Sequence, residues 1–255
     1  IAAIETTDIS KLTTAQVVAL TSAQVSAITT QQLTNLTTDQ IKSIETLDLQ
    51  QLTTAQVAVL TNAQVPALTT AQVVALTTAQ FVALTTNEVS KLTTAQVAAI
   101  ETEDLVKMTT AQIAALTTDH ASALTTSQVN NLTTAQIAAI ETADLVKLST
   151  GAIASLNTAQ ITALNSAQVL ALTTDQVAAI TTADFNVMTA NQIKALSSDQ
   201  VAALSLDQVA LIKTADLAAL TTTNIANLKP TQVAKLSTAQ IQALTTAQAA
   251  ALTSA

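Results

Sequence analysis

The chain has 255 residues, 49% hydrophobic but only 1% aromatic, with 9 Lys plus Arg against 17 Asp plus Glu and a net charge of −8. That acidic balance opposes binding to nucleic acid or anionic lipid, which need clustered basic side chains, and the absence of Cys rules out disulfides and thiolate metal sites. The mean hydropathy of +0.44 comes largely from Ala, and polar residues interrupt it too often for the roughly 18 to 20 apolar residues of a spanning helix, so no membrane insertion is expected.

From Ile4 onward the chain repeats every eight residues without insertion or deletion. Position 1 of the octad recurs from residue 4 to residue 252, which is (252 − 4)/8 + 1 = 32 times, and is always Ile, Leu or Met. The consensus, seen at Leu92 to Ala99, is Leu-Thr-Thr-Ala-Gln-Val-Ala-Ala. Eight residues of a continuous α-helix turn through about 800°, so the apolar positions would rotate some 80° per octad and form no stripe. A strand fails as well, because positions 1 and 6 have opposite parity and would face opposite sides. One short helix per octad remains. Thr at position 2 and Gln at position 5 form a capping box, with positions 1 and 6 as the hydrophobic staple around it. The predicted fold is all-α: a solenoid of very short helices, one capped turn or so per octad, wound into an elongated superhelix spanning 1–255 as one continuous array.

Taken in chain order, the first octad already departs from consensus. Glu5 replaces the capping Thr while Asp8 replaces Gln, and the same joint change recurs at Glu45 with Asp48, Glu101 with Asp104 and Glu141 with Asp144, while Lys213 accompanies Asp216. A first-turn carboxylate is expected to take over from the lost cap by pairing with the free N–H groups and the helix dipole. Lys11, Lys107 and Lys147 follow three residues after Asp8, Asp104 and Asp144, a spacing that suits weak i,i+3 pairs. Pro66 stands at position 7, where it removes an intrahelical bond, so a distortion is predicted between Leu60 and Leu68. Phe81 and Phe185, the two aromatics, both occupy position 6. The sole His, His120, replaces Gln at position 5 and is expected to be a drifted capping residue. Gly151 is the only Gly, so left-handed C-caps are unavailable to the other helices. Each should end with the next Leu-Thr pair extended, about six helical residues and two linking ones. Ala190 and Leu206 occupy position 3 while Thr189 and Ser205 keep position 2, and Pro230 falls at the first helical position, where its missing N–H is harmless. Small Ala at positions 7 and 8 should let successive helices approach. A superperiod of 40 residues links Ile4 to Ile44 and Ile100 to Ile140 to Ile180, the mark of block duplication. The chain starts at Ile1 and stops inside an octad at Ala255, and is read as a segment of a longer array.

Helices this short are not stable alone; stacking must hold them, with buried positions 1 and 6 forming a thin aliphatic core. No catalytic, cofactor-binding or metal-binding constellation emerges. His120 has no partner nearby in sequence, and the carboxylates, including Asp8, Glu103 and Asp104, are spread at helix starts, without the Gly-bearing loop of a calcium site. The chain is therefore expected not to be an enzyme and to need no cofactor.

The stretch Leu-Thr-Thr-Ala-Gln-Val-Val-Ala-Leu at Leu68 to Leu76 resembles the opening helix of TAL-effector DNA-binding repeats. The far longer period, paired base-reading residues and basic charge of those repeats are missing here, so a DNA-binding role is not implied. Over the whole chain the Leu-Thr-Thr-Ala-Gln-Val-Ala-Ala octads are similar to the short-helix repeat arrays of large bacterial secreted or surface proteins. That resemblance implies an extracellular or cell-surface structural protein, a stalk, adhesin spacer or filament subunit that associates end to end or continues into more of the same array. The alternative is a binding surface presenting rows of hydroxyls to ice, glycan or a protein partner.

Overall fold

The computed structural model describes residues 1–252; the expectation attached to Ala255 lies outside the described residues. Among these, 29 α-helices of four to seven residues and two 3-10 helices, Ile9–Lys11 and Val65–Ala67, follow one another at one per octad, with no strand. The fold is a solenoid of very short helices, as predicted. It comprises two compact units, residues 1–124 and 125–255.

The local reason for each helix is the cap. In the consensus octad at Leu92, Thr93 is extended at φ −80°, ψ 159°; its hydroxyl accepts from the Gln96 N–H, and its own N–H donates to Gln96 Oε1 at 2.6 Å. The helix Thr94–Ala99 then ends at Ile100, whose φ −59°, ψ 129° starts the next linker. Extended Leu or Ile C-caps recur, and no described residue has positive φ. Gly151 lies inside helix Thr150–Ala154 and caps nothing. Asn157 and Asn165 cap through Oδ1 in place of a hydroxyl. Pro230 opens helix Pro230–Val233, and its N-cap Lys229 supplies only half of the box, a backbone N–H to Gln232 Oε1 at 2.8 Å, since an ammonium cannot accept. Around Pro66 the distortion takes the form of the 3-10 helix Val65–Ala67: the Thr61 and Gln64 box survives, but the α-helical bond that residue 66 would make is absent and the turn tightens.

Positions 1 and 6 form the core in both units. Val97, Ile137, Val177 and Leu217 are fully covered, and Leu68, Leu132 and Leu172 are 3 to 4% exposed. Two expectations need correction. Position 7 faces solvent, as Ala98, Ala138 and Ala178 show, so it does not mediate close approach. The tight packing is also not between successive helices but between each helix and the third one after it: Thr94–Ala99 meets Thr118–Ala123 in the first unit, and Thr174–Ala179 meets Ser198–Ala203 in the second. Successive helices trace the circumference of a turn, and the core is closed between turns.

Candidate functional site: the inter-turn glutamine ladder

Position 5 is as buried as the core. Gln96, Gln160, Gln168 and Gln208 are each 1% exposed, and from Gln32 to Gln248 nearly every octad buries a polar side chain there. Burying an amide is costly unless its hydrogen-bonding groups are paired, and the pairing reveals what the residue does. Oε1 faces its own helix and accepts the cap N–H. Nε2 faces the preceding turn and donates to two main-chain carbonyls, those 31 and 28 residues earlier. Gln40 donates to Ile9 at 3.0 Å and Leu12 at 2.7 Å; Gln64 to Leu33 at 2.8 Å and Leu36 at 2.7 Å; Gln80 to Leu49 at 2.9 Å and Leu52 at 2.6 Å. The second unit repeats this: Gln176 donates to Leu145 at 3.0 Å and Leu148 at 2.8 Å, and Gln208 to Val177 at 3.0 Å and Ile180 at 2.9 Å. The acceptors are the position-6 carbonyl, which also accepts the N–H of the position-1 residue after it, and the position-1 carbonyl of the linker. Within each unit the amide thus reaches back 28 to 31 residues, while the helices that pack on one another stand three octads apart. Sequence reasoning found the capping half of this glutamine and missed the donor half.

Where position 5 is not Gln, the chemistry shifts. Asp48 and Asp104 lie in octads whose Glu45 and Glu101 make no side-chain cap. Contrary to the expectation that such carboxylates pair with free N–H groups of their own helix, they accept hydroxyl bonds from 26 residues back: Ser22 Oγ to Asp48 Oδ1 at 2.5 Å, and Thr78 Oγ1 to Asp104 Oδ1 at 2.6 Å. A carboxylate can only accept, so it takes the position-3 hydroxyl of the turn before. Asp184 instead bonds its own cap hydroxyl, Thr181. Asn224 is one carbon shorter than Gln and reaches a single carbonyl, Leu196 at 2.7 Å. The expected Lys11–Asp8 pair is present at 2.8 Å, both side chains exposed. His120 does cap as expected, Nδ1 accepting from the Thr117 N–H at 3.2 Å, and it also spans the turn, Nε2 lying 2.6 Å from the Leu92 carbonyl.

The remaining surface is shallow. One hollow is lined by Thr182, Asp207, Ala210, Leu211 and Lys235, with Lys235 Nζ 3.8 Å from Asp207 Oδ1, and a second by Leu228, Pro230, Val233, Ala234 and Leu252. Among the described residues no three His, Asp or Glu side chains gather to hold a metal ion, and Glu103 lies exposed beside buried Asp104. No helix of the described residues is long and apolar enough to cross a membrane.

A family model described as the ALTTAQ repeat matches seven times, at residues 1–38, 41–78, 97–134, 137–174, 177–211, 209–244 and 225–254. The chain belongs to the ALTTAQ repeat family. The matches leave out only residues 39–40, 79–96, 135–136, 175–176 and 255, and the Ala-Gln of the family's name is the position 4 and 5 pair whose Gln builds the ladder. Starts at 1 and 41, and at 97, 137 and 177, reproduce the 40-residue superperiod. No curated protein matches the chain. It is a repeat-containing structural protein of this family, built as a helical solenoid.

Proposed function

We propose that the chain is a non-catalytic spacer, a stalk segment or filament subunit outside the cell or on its surface, in which the ALTTAQ octads serve to extend structure rather than to transform a substrate. The observation that carries this reading is the ladder. It commits the most regular polar side chain of the octad to holding one turn on the next, and the titratable groups at the same position are drawn into caps and inter-turn bonds instead of converging on a pocket. The edges of the ladder support continuation of the same array or end-to-end association. In the first turn of unit 1, Gln16 and Gln24 are exposed although their staple residues Val17 and Val25 are buried. In the last turns of unit 2, Ile241 at position 6 is 43% exposed, and Leu228, Val233 and Leu252 line an apolar hollow. Amide donors on one edge and position-6 and position-1 carbonyls on the other are the two halves of one ladder joint.

The hydroxyl-rich binding surface is less well supported. Position-2 hydroxyls are engaged in caps, and position-3 hydroxyls such as Ser22 and Thr78 are drawn into inter-turn bonds to Asp48 and Asp104. Electron microscopy at rising concentration, with surface-exposure labelling of cells making the protein, tests the proposal. Uniform thin particles that lengthen by end-to-end addition, or accessible label on intact cells, are expected; compact particles confined to the cell interior would contradict it.

A further inference from the structure

In unit 1 four octads replace the ladder glutamine by a buried titratable side chain: Asp48 and Asp104, which accept a hydroxyl from the turn before, and Glu88 and His120, each 3% exposed and each keeping the capping bond. Glu88 keeps the capping half of the role, Oε2 accepting the Thr85 N–H at 2.5 Å. For the other half a carboxylate has no donor. The register nevertheless assigns its second oxygen to the carbonyls of Val57 and Leu60, 31 and 28 residues back, just as Gln72 takes Ile41 and Ile44, and Gln96 takes Val65 and Leu68. His120 shows the mirror case. The Leu92 carbonyl can only accept, so Nε2 carries the hydrogen, and Nδ1, which accepts from Thr117, is bare.

We propose that Glu88 forms a proton-sensitive joint in unit 1: it ties its turn to the preceding one only as the carboxylic acid, donating to the Leu60 carbonyl, whereas His120 at the same octad position makes its joint through Nε2 to Leu92. Acidification tightens the Glu88 joint. The surroundings leave this control to Glu88 itself. The octads beneath Glu88, residues 52–67, hold no charged side chain, nor does helix Thr110–Ala114, which packs against its helix; Lys91 in its own octad is exposed. Helix Thr94–Ala99, packed against the helix of His120 within unit 1, is uncharged, and the neighbouring Asp119 is exposed. Burial pushes the Glu88 carboxyl above its ordinary 4.5, opposed in part by the bonds from the Thr85 backbone and hydroxyl. For an acid raised in the folded state, the stabilisation by the proton is complete below 4.5 and is lost as pH rises through the folded value.

The test is urea unfolding of the full chain, wild type against Glu88→Gln and His120→Gln, across acidic to neutral pH. Glu88→Gln is expected to raise the folded-to-unfolded ratio about tenfold at neutral pH, the worth of one restored buried hydrogen bond, with the advantage vanishing once the wild-type carboxyl is protonated. His120→Gln, which keeps a donor for the Leu92 carbonyl, is expected to leave the pH dependence conferred by Glu88 unchanged. Gln96→Glu should install at a third joint the pH dependence that Glu88 confers, and nitrogen chemical shifts of His120 should report the Nε2–H tautomer. A pH-independent advantage of Glu88→Gln, no pH response in Gln96→Glu, or an Nδ1–H tautomer at His120 would each overturn the proposal.

Discussion

A primary amide joins one acceptor to two donors on a single planar group, and position 5 of the octad uses both ends. Removing it therefore has an asymmetric cost: Gln176→Ala leaves the Thr173 N–H and the Leu148 carbonyl without the partner that reaches them, while the Leu145 carbonyl keeps the Leu148 N–H. An orphaned buried group costs about 1 to 3 kcal/mol, whereas a lost hydroxyl cap costs about 1 kcal/mol. Urea unfolding should accordingly rank Gln176→Ala at about 2 to 3 kcal/mol of destabilisation and Thr173→Ala at about half of that or less; equal costs would show that Gln176 is only a cap. The capping half was legible in the sequence because both partners lie within three residues. The donor half was not, because its acceptors lie 28 to 31 residues away and are main-chain atoms that every residue type carries. One signal did point to it. Near a helix N-terminus the dipole favours Glu over Gln, yet from Asp8 to Gln248 Gln occupies 21 of the 31 position-5 sites and Glu only one, Glu88, a bias toward the side chain of that length that can also donate.

At the level of the single helix, sequence and structure agree closely because boundaries here are set by local chemistry. Thr174 is the first helical residue of Thr174–Ala179 and needs no N–H, while the Val177 N–H closes the first turn on the Thr173 carbonyl at 3.0 Å. Thr174→Pro is therefore expected to change stability by no more than about 0.5 kcal/mol, and Val177→Pro to cost about 3 kcal/mol or more, measured by denaturant unfolding monitored through far-ultraviolet circular dichroism. A severe loss from Thr174→Pro would put the cap at the wrong residue. Gly151 provides the converse case. Its helical backbone has room for a methyl group, the nearest atoms to an added Cβ being Ser149 Oγ and Thr126 Oγ1 at 3.8 Å, so Gly151→Ala should stabilise by about 0.5 to 1 kcal/mol. The Glu-and-Asp octads were only half legible: the joint change announced an altered cap, but the hydroxyl that Asp48 and Asp104 take lies in the preceding turn.

Across each unit three lengths coexist: the octad, the 28 to 31 residues between each glutamine and the carbonyls it ties, and the 40-residue superperiod, five octads, at which family matches recur. The superperiod is legible in sequence because it records duplication. The turn is not, because every octad offers the same position-6 and position-1 carbonyls and no residue marks where a turn closes. It follows that the array tolerates whole octads and not single residues. Excising residues 164–171 from unit 2 should leave later glutamines facing equivalent carbonyls, at a cost near the ordinary stability of eight residues, about 0.4 to 1.2 kcal/mol. Deleting Ala163 alone breaks the phase of the ladder and should unfold the turns that follow, seen as lost helicity and a broadened transition. The most direct measurement is nuclear magnetic resonance of glutamine side-chain amides in the full chain. The ladder requires Gln176 and Gln208 Nε2 protons to exchange slowly with solvent and to show contacts to residues 28 to 31 positions earlier; side-chain amides that exchange as fast as free glutamine, without those contacts, would contradict the account.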